Sequence, residues 1–316
     1  MNNSTLIHTS EDKILILSRS FYCTLGCLAS FVNFTTFVAI LFNTELRRRT
    51  ELLLISAQCA AEMIYSLGPV VHFPWMLDIY VYHLKSSLIP ISHCMIEGFN
   101  LCYLVGSQMV ASVNFLFGID RILAIYNPLS YAEAGCGFVV ISVFLAFGLS
   151  LGSYTLGEEL AYKIDANVTT EYACLATWHK IPTYSTLYPS LICILETASV
   201  LCLNGILLLQ KSTLFLQTRS QISVQEARNV KIASFMLLLV LLSLIVNATC
   251  WAVTVFLELH YTSFAYSNHV TEALMYSMTV KSLTNVVLVL HKFPEIGQAV
   301  VHRFCDRNNS VDVICR

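Results

Sequence analysis

An aspartate and an arginine stand side by side at Asp120 and Arg121, at the end of an apolar run, with Ile122 next and Pro128-Leu129-Ser130-Tyr131 a few residues on. Opposite charges at such a boundary suit a switch. An arginine at the mouth of a helix bundle needs a counter-charge while buried and becomes a docking donor when exposed. The plainer alternative is a charge pair that only fixes where the helix stops. Glu62 and Lys281 are charges of another kind, each isolated inside its own apolar run. An unpaired charge there is heavily penalised, whereas a pair neutralises itself. The expectation is a Glu62–Lys281 ion pair flanked by Asn33 and Asn285; the alternative is a protonated Glu62 with Lys281 turned elsewhere. Glu196 reads as lying in the outer half of an apolar run, where it suits either a cationic ligand or a hydrogen-bonded structural role. No nucleophile–base pair stands out, and no paired histidine and cysteine spacing would bind zinc. The chain is therefore read as a non-enzyme, with no metal or other cofactor expected.

These residues must be positioned by membrane helices. Of 316 residues, 56% are hydrophobic and 12% charged, against roughly 25% charged in an ordinary soluble domain. Mean hydropathy is +0.67. Seven apolar stretches, about 19–42, 51–73, 96–119, 138–156, 184–209, 232–257 and 266–290, are long enough to cross a hydrocarbon core of roughly 30 Å. The first follows a polar segment with Glu11, Asp12 and Lys13 and is too long for a signal peptide, so it is read as a span. With the amino terminus outside, twelve lysines and arginines fall on the cytoplasmic side, Arg47, Arg48, Arg49 and Arg121 among them, and five fall outside. That asymmetry sets the orientation. Glycosylation triplets at Asn2, Asn3 and Asn167 then lie outside. At about 1.5 Å per residue, Glu62 and Lys281 lie roughly 16 Å and 15 Å from the inner ends of their helices, at one depth.

The connections are short. Turns are expected at Asn43–Thr50, near Pro128–Gly137 and around Lys211–Asn229, with a longer outer loop at about 157–183. Most of the twelve cysteines lie within spans and read as small apolar packing residues. Cys94 and Cys174 are the pair clearly in oxidising space, which predicts a disulfide between them. Cys305 and Cys315, past the last span, suit either palmitoylation or free thiols. No basic block is long enough to suggest a nucleic-acid partner.

The run Asp120-Arg121-Ile122-Leu123-Ala124-Ile125-Tyr126-Asn127-Pro128-Leu129-Ser130-Tyr131 closely resembles the Asp-Arg-Tyr signature and following loop of rhodopsin-like G-protein-coupled receptors. Leu46-Arg47-Arg48-Arg49-Thr50 resembles that family's first inner loop, Cys250-Trp251 its sixth-helix switch, and Asn285 with Lys292-Phe293-Pro294-Glu295 the end of helix seven and the start of an amphipathic eighth helix. Gly118-Ile119-Asp120-Arg121-Ile122, the Leu-Arg loop and the ending without the usual proline are most similar to nematode serpentine chemoreceptors of the srsx class.

The resemblance implies that Asp120 pairs with Arg121 at rest. Movement of helix six then frees Arg121 for a G-protein alpha subunit, while Pro128 and Tyr131 shape the loop. It also implies a ligand cavity open to the outside, with Tyr103, Gln108, Glu196, Trp251, Glu272 and Met275 as candidate lining residues. Many family members bind sodium where Glu62 stands, a role the Lys281 ammonium takes over here. Opsins carry a retinal lysine six residues before the helix-seven asparagine. Lys281 is four before Asn285, rotated about 160° from that position, so retinal is not expected. Several family positions differ: Val253 replaces the helix-six proline, Val286 and Val289 stand where proline and tyrosine follow Asn285, and Thr197 replaces the helix-five tyrosine.

The fold expected is an all-α seven-transmembrane bundle. An extracellular segment occupies 1–18, the receptor domain 19–291, and an amphipathic helix with a cytoplasmic tail 292–316. The function expected is a plasma-membrane chemosensory receptor for an extracellular ligand, partnered by a heterotrimeric G protein and the lipid bilayer. A neuropeptide-type receptor and a small transporter are the alternatives, the latter disfavoured because neither paired repeats nor broken midplane helices are evident.

Overall fold

The structure is a computed structural model and describes residues 10–81, 88–164, 169–171, 174, 181–216, 224–260 and 264–301. Backbone in hydrocarbon has no water to satisfy its N–H and C=O groups, so each long apolar run must close its own hydrogen bonds as a helix. In chain order the elements are α1 (Ser10–Phe42), α2 (Thr44–Arg47), α3 (Thr50–Val81), β1 (Leu88–Pro90), α4 (Ile91–Met95), α5 (Gly98–Tyr126), α6 (Pro128–Ile164), β2 (Thr169–Glu171), α7 (Pro182–Leu216), α8 (Val224–His260) and α9 (Phe264–Lys292). A further short helix, α10, covers 294–301. Six of the long helices contain a stretch apolar and long enough to span a bilayer: α1, α3, α5, α6, α7 and α8. With α9 they make the all-helical seven-span bundle. β1 and β2 pair antiparallel, Leu88 opposite Glu171 and Pro90 opposite Thr169.

The helices overrun the apolar stretches that announce them. A helix needs apolar side chains only while it is in hydrocarbon, and continues beyond wherever the sequence tolerates helix. Thus α1 begins at Ser10, inside the segment expected as the extracellular amino terminus, and α3 runs on to Val81. Residues 128–137 are not the loop expected, because α6 opens at Pro128 itself. Proline suits a first helical position, where its fixed φ is already helical and its missing N–H would have had no partner. Likewise α7 continues to Leu216 and α8 starts at Val224, so most of the expected 211–229 loop is helix.

Packing is tightest where α3 and α5 cross. A Cβ on Gly106 would meet the Tyr65 backbone nitrogen at 2.6 Å, so glycine is required for that approach. Small residues at a helix interface let backbones come close where lipid supplies no hydrophobic drive. The main apolar cluster gathers Ile40, Leu52, Leu54, Phe117, Leu203, Met236, Val289 and Phe293 near the end that carries Arg47–Arg49, called the basic end below. A second cluster near the opposite end joins Met95, Leu104, Tyr154, Ile181, Tyr184 and Tyr188. Phe144 and Leu149 on α6 and Leu201 and Leu208 on α7 are exposed, as expected of side chains whose solvent is lipid.

Candidate functional site

At the basic end α5 stops at Tyr126, where Asn127 leaves the helical conformation and donates its N–H to the Leu123 carbonyl (3.0 Å). Pro128 restarts the chain as α6, and the Tyr131 N–H bonds back to the Asn127 carbonyl at 2.9 Å. This tight reversal lays Tyr131 beside the last turns of α5. Asp120 and Arg121 are both buried there. Arg121 Nε donates to Asp120 Oδ2 at 2.8 Å, and Arg121 Nη2 closes on the same oxygen. The Tyr131 hydroxyl donates to Asp120 Oδ1 at 2.6 Å and accepts from Arg121 Nη2 at 3.3 Å. Thr50, the first residue of α3, shares a short hydroxyl–hydroxyl bond with Tyr131. Burial, followed by the adjacent Asp120 carboxylate, holds the Tyr131 phenol well above its ordinary pKa, so it stays a neutral donor. Ile122 is half-buried beside the pair.

A second charge group adjoins it. Glu51 Oε1 accepts from Arg49 Nε at 2.9 Å and from Arg228 of α8 at 2.8 Å. Arg49 Nη1 also donates to Glu295 of α10 at 2.8 Å, and its guanidinium lies 5.7 Å from the Phe293 ring centroid. Burial opposes the Arg49 charge, but hydrogen bonds to Glu295 and Glu51 outweigh it and hold the pKa above the ordinary arginine value. The alternating series Arg228–Glu51–Arg49–Glu295 thus joins α8, α3 and α10. Sequence reasoning passed over Glu51 and Arg228; an acid at the start of a helix and an arginine near a loop are common enough to carry no signal.

At mid-depth Lys281 Nζ lies 3.0 Å from Glu62 Oε1, both side chains buried. The same oxygen accepts from Asn285 Nδ2 at 3.0 Å and Gln58 Nε2 at 3.3 Å. Asn33, expected beside this pair, reaches α9 at the residue after Lys281. Its Nδ2 donates to the Ala29 carbonyl (2.8 Å) and to the Ser282 hydroxyl (2.9 Å). Asn33 therefore meets α9 at Ser282, one turn from Asn285 and next to Lys281. Ser66 of α3 also reaches Ser282, at 3.4 Å.

Glu196 lies next to the midpoint of the Thr183–Gln210 span, at the inner limit of the outer half expected for it, and belongs with the polar centre. Its Oε1 accepts from Ser243 Oγ (2.6 Å), Asn247 Nδ2 (2.7 Å) and Asn114 Nδ2 (3.3 Å). Lys281 Nζ in turn donates to Ser243 Oγ at 3.3 Å. Glu62, Lys281, Ser243 and Glu196 therefore form one hydrogen-bonded row across α3, α9, α8 and α7. The apolar run marked Glu196 as unusual, but nothing in it showed which side chains of other helices meet the carboxyl group.

At the end opposite the basic one, Cys94 of α4 and Cys174 are joined by a disulfide, with Cα atoms 5.3 Å apart. Beneath it Tyr103 packs edge-on against Tyr65, ring centroids 5.5 Å apart, within a cluster that also holds Phe99 and Met278 with Met275 at its margin. Gln108 is buried on α5, five residues deeper than Tyr103. Tyr103 and Met275 are thus brought together and Glu196 is not with them. The side chains of Trp251 and Glu272, and that of Pro128 at the other end, lie outside the described ones, as do Asn2, Asn3 and Asn167 altogether.

Residues 13–156, a little under half of the chain, match the family described as serpentine type 7TM GPCR chemoreceptor Srbc. No curated protein matches the chain. The matched stretch contains Asn33, Glu62, Cys94, Asp120, Arg121 and Tyr131. The class that matches is Srbc, where the sequence motifs had suggested srsx; both are serpentine chemoreceptor classes. Through this match and its seven-helix architecture, the chain is similar to the serpentine chemoreceptors, a family of membrane receptors and not of enzymes.

Proposed function

We propose that this protein is a plasma-membrane chemoreceptor that binds an extracellular ligand and activates a heterotrimeric G protein at its basic end. In this reading the disulfide end faces outward, Asn2, Asn3 and Asn167 are glycosylation acceptors, and Arg47–Arg49 face the cytoplasm in accord with the positive-inside bias. Tyr103, Gln108, Met275, Trp251 and Glu272 are the candidate ligand contacts.

The observation that carries the reading is the buried Asp120–Arg121 pair closed over by Tyr131. All five of the Arg121 N–H donors would otherwise need partners at the mouth of the bundle. In the resting arrangement Asp120 and Tyr131 engage Nε and Nη2. A shift of α8 that opened the basic end would make this guanidinium a donor for carbonyl groups on a docked helix. A ligand that binds the open state better than the closed one shifts the population toward coupling.

The test is ligand-dependent nucleotide exchange on purified G protein. Arg121→Gln is expected to abolish exchange while the receptor still reaches the surface and still binds ligand. Undiminished exchange by that variant would rule the assignment out, and a substrate flux without exchange would favour a transporter.

A further inference from the structure

The polar centre holds more carboxyl groups than ammonium groups. Among the described residues, Glu62 and Glu196 share Lys281, which bonds to Glu62 directly at 3.0 Å and to Glu196 only through the Ser243 hydroxyl, by steps of 3.3 Å and 2.6 Å. The two carboxyl groups are supported from different helices. Glu62 has Gln58 of its own helix and Asn285 of α9. Glu196 has Ser243 and Asn247, both on α8, and the longer 3.3 Å contact to Asn114 of α5. Its second oxygen, Oε2, is buried and has no hydrogen-bond partner among the described residues. A displacement of α8 therefore strips Glu196 of its two closest donors and leaves Glu62 untouched. A buried carboxyl group left short of donors is costly. The nearest group able to replace them is the Lys281 ammonium, one hydroxyl away.

We propose that Lys281 serves the two carboxyl groups in turn: Glu62 while α8 is packed, and Glu196 when α8 swings away. The row across the bundle is then a two-position charge switch that reports where α8 is, and the Ser243 hydroxyl is the link between Lys281 and Glu196 that breaks when α8 leaves. The movement of α8 comes from the receptor reading above, on which this proposal rests. The switch also explains why α9 carries a lysine at this depth instead of a neutral donor. Glu62 alone is already met by Gln58 and Asn285, whereas only a long flexible cation can reach both acids.

Spin labels at Arg48→Cys and Lys231→Cys, two exposed positions at the basic end, read the α8 position in the purified full chain without ligand or G protein, once accessible native cysteines are replaced. Glu62→Gln leaves Lys281 to Glu196 and is expected to raise the long-distance population several-fold. Adding Lys281→Met to it removes the cation that Glu196 would draw and is expected to return the distances to those of the wild type. Should Glu62→Gln fail to fold, Ser243→Ala takes its place, with the same lengthening and the same reversal by Lys281→Met. No lengthening in the folded single variant, or lengthening that persists in the double variant, overturns the switch. Loss of the Arg121 effect on nucleotide exchange would overturn the coupling reading instead and leave the distance result standing.

Discussion

At the basic end, Arg49, Glu295 and Arg228 keep 29%, 39% and 48% of their side chains exposed while they share Glu51 and each other. At mid-depth, Lys281 and Glu62 keep 1% and 2%. The residue types are alike and the distances nearly equal, yet the consequences differ. Exposed pairs exchange with water and are screened by salt, so each contributes about 0–1 kcal/mol. A pair enclosed in helices and lipid cannot exchange with water. Removing one partner leaves the other uncompensated, at a cost of about 3–5 kcal/mol. The basic end is therefore suited to opening and closing, and the centre to staying occupied.

The largest test of this contrast is Lys281→Met. It is expected to lower stability by about 3–5 kcal/mol and to remove most folded receptor, measured as surface expression and thermal unfolding in detergent. Combining it with Glu62→Gln should recover much of the loss, because two neutral side chains leave no bare charge. A double variant no better than the single one would break the contrast. Next in size is Glu51→Gln, which removes the negative charge that two arginines share. A loss of about 1–3 kcal/mol is expected, with α8 and α10 loosened together in hydrogen exchange. The smallest is Arg228→Gln, at about 0–1 kcal/mol. Its effect should vanish in high salt, whereas that of Lys281→Met should not change. Equal salt sensitivity in both would show that the centre is wetter than its burial implies.

How much of this was legible beforehand varied with the kind of signal. The Glu62–Lys281 contact was, because a lone charge in an apolar run is so costly that it advertises its need for a partner, and depth along two helices can be counted. Asp120 and Arg121 were legible through their neighbours in sequence, although the share Tyr131 takes of Asp120 depends on the tight α5–α6 reversal that reads in sequence as a loop. Asn33 was expected beside the pair, but depth alone does not fix the rotation that turns its amide to Ser282. Glu196 was offered either a cationic ligand or a structural role, and its own apolar run did not decide between them, because its polar partners come from other helices. Asn114, Ser243 and Asn247 were passed over entirely. Small polar side chains are common in membrane helices, and only the packed bundle shows that three of them converge on one carboxyl oxygen.

The unequal burial of the helices has a consequence of its own. Within their most apolar windows 67% of residues are buried in α3 and 17% in α6. A saturating substitution scan would thus read two grammars in one chain. Along α3 most exchanges would fail on shape, with Gly106 of the facing α5 as intolerant as any position it meets. Along α6 nearly any oily residue would serve for another, since Phe144 and Leu149 answer to the bilayer and to no particular neighbour. The latter helix is free to drift in spelling while keeping its meaning, and comparisons of related chains that weigh all seven helices alike would mistake that drift for distance.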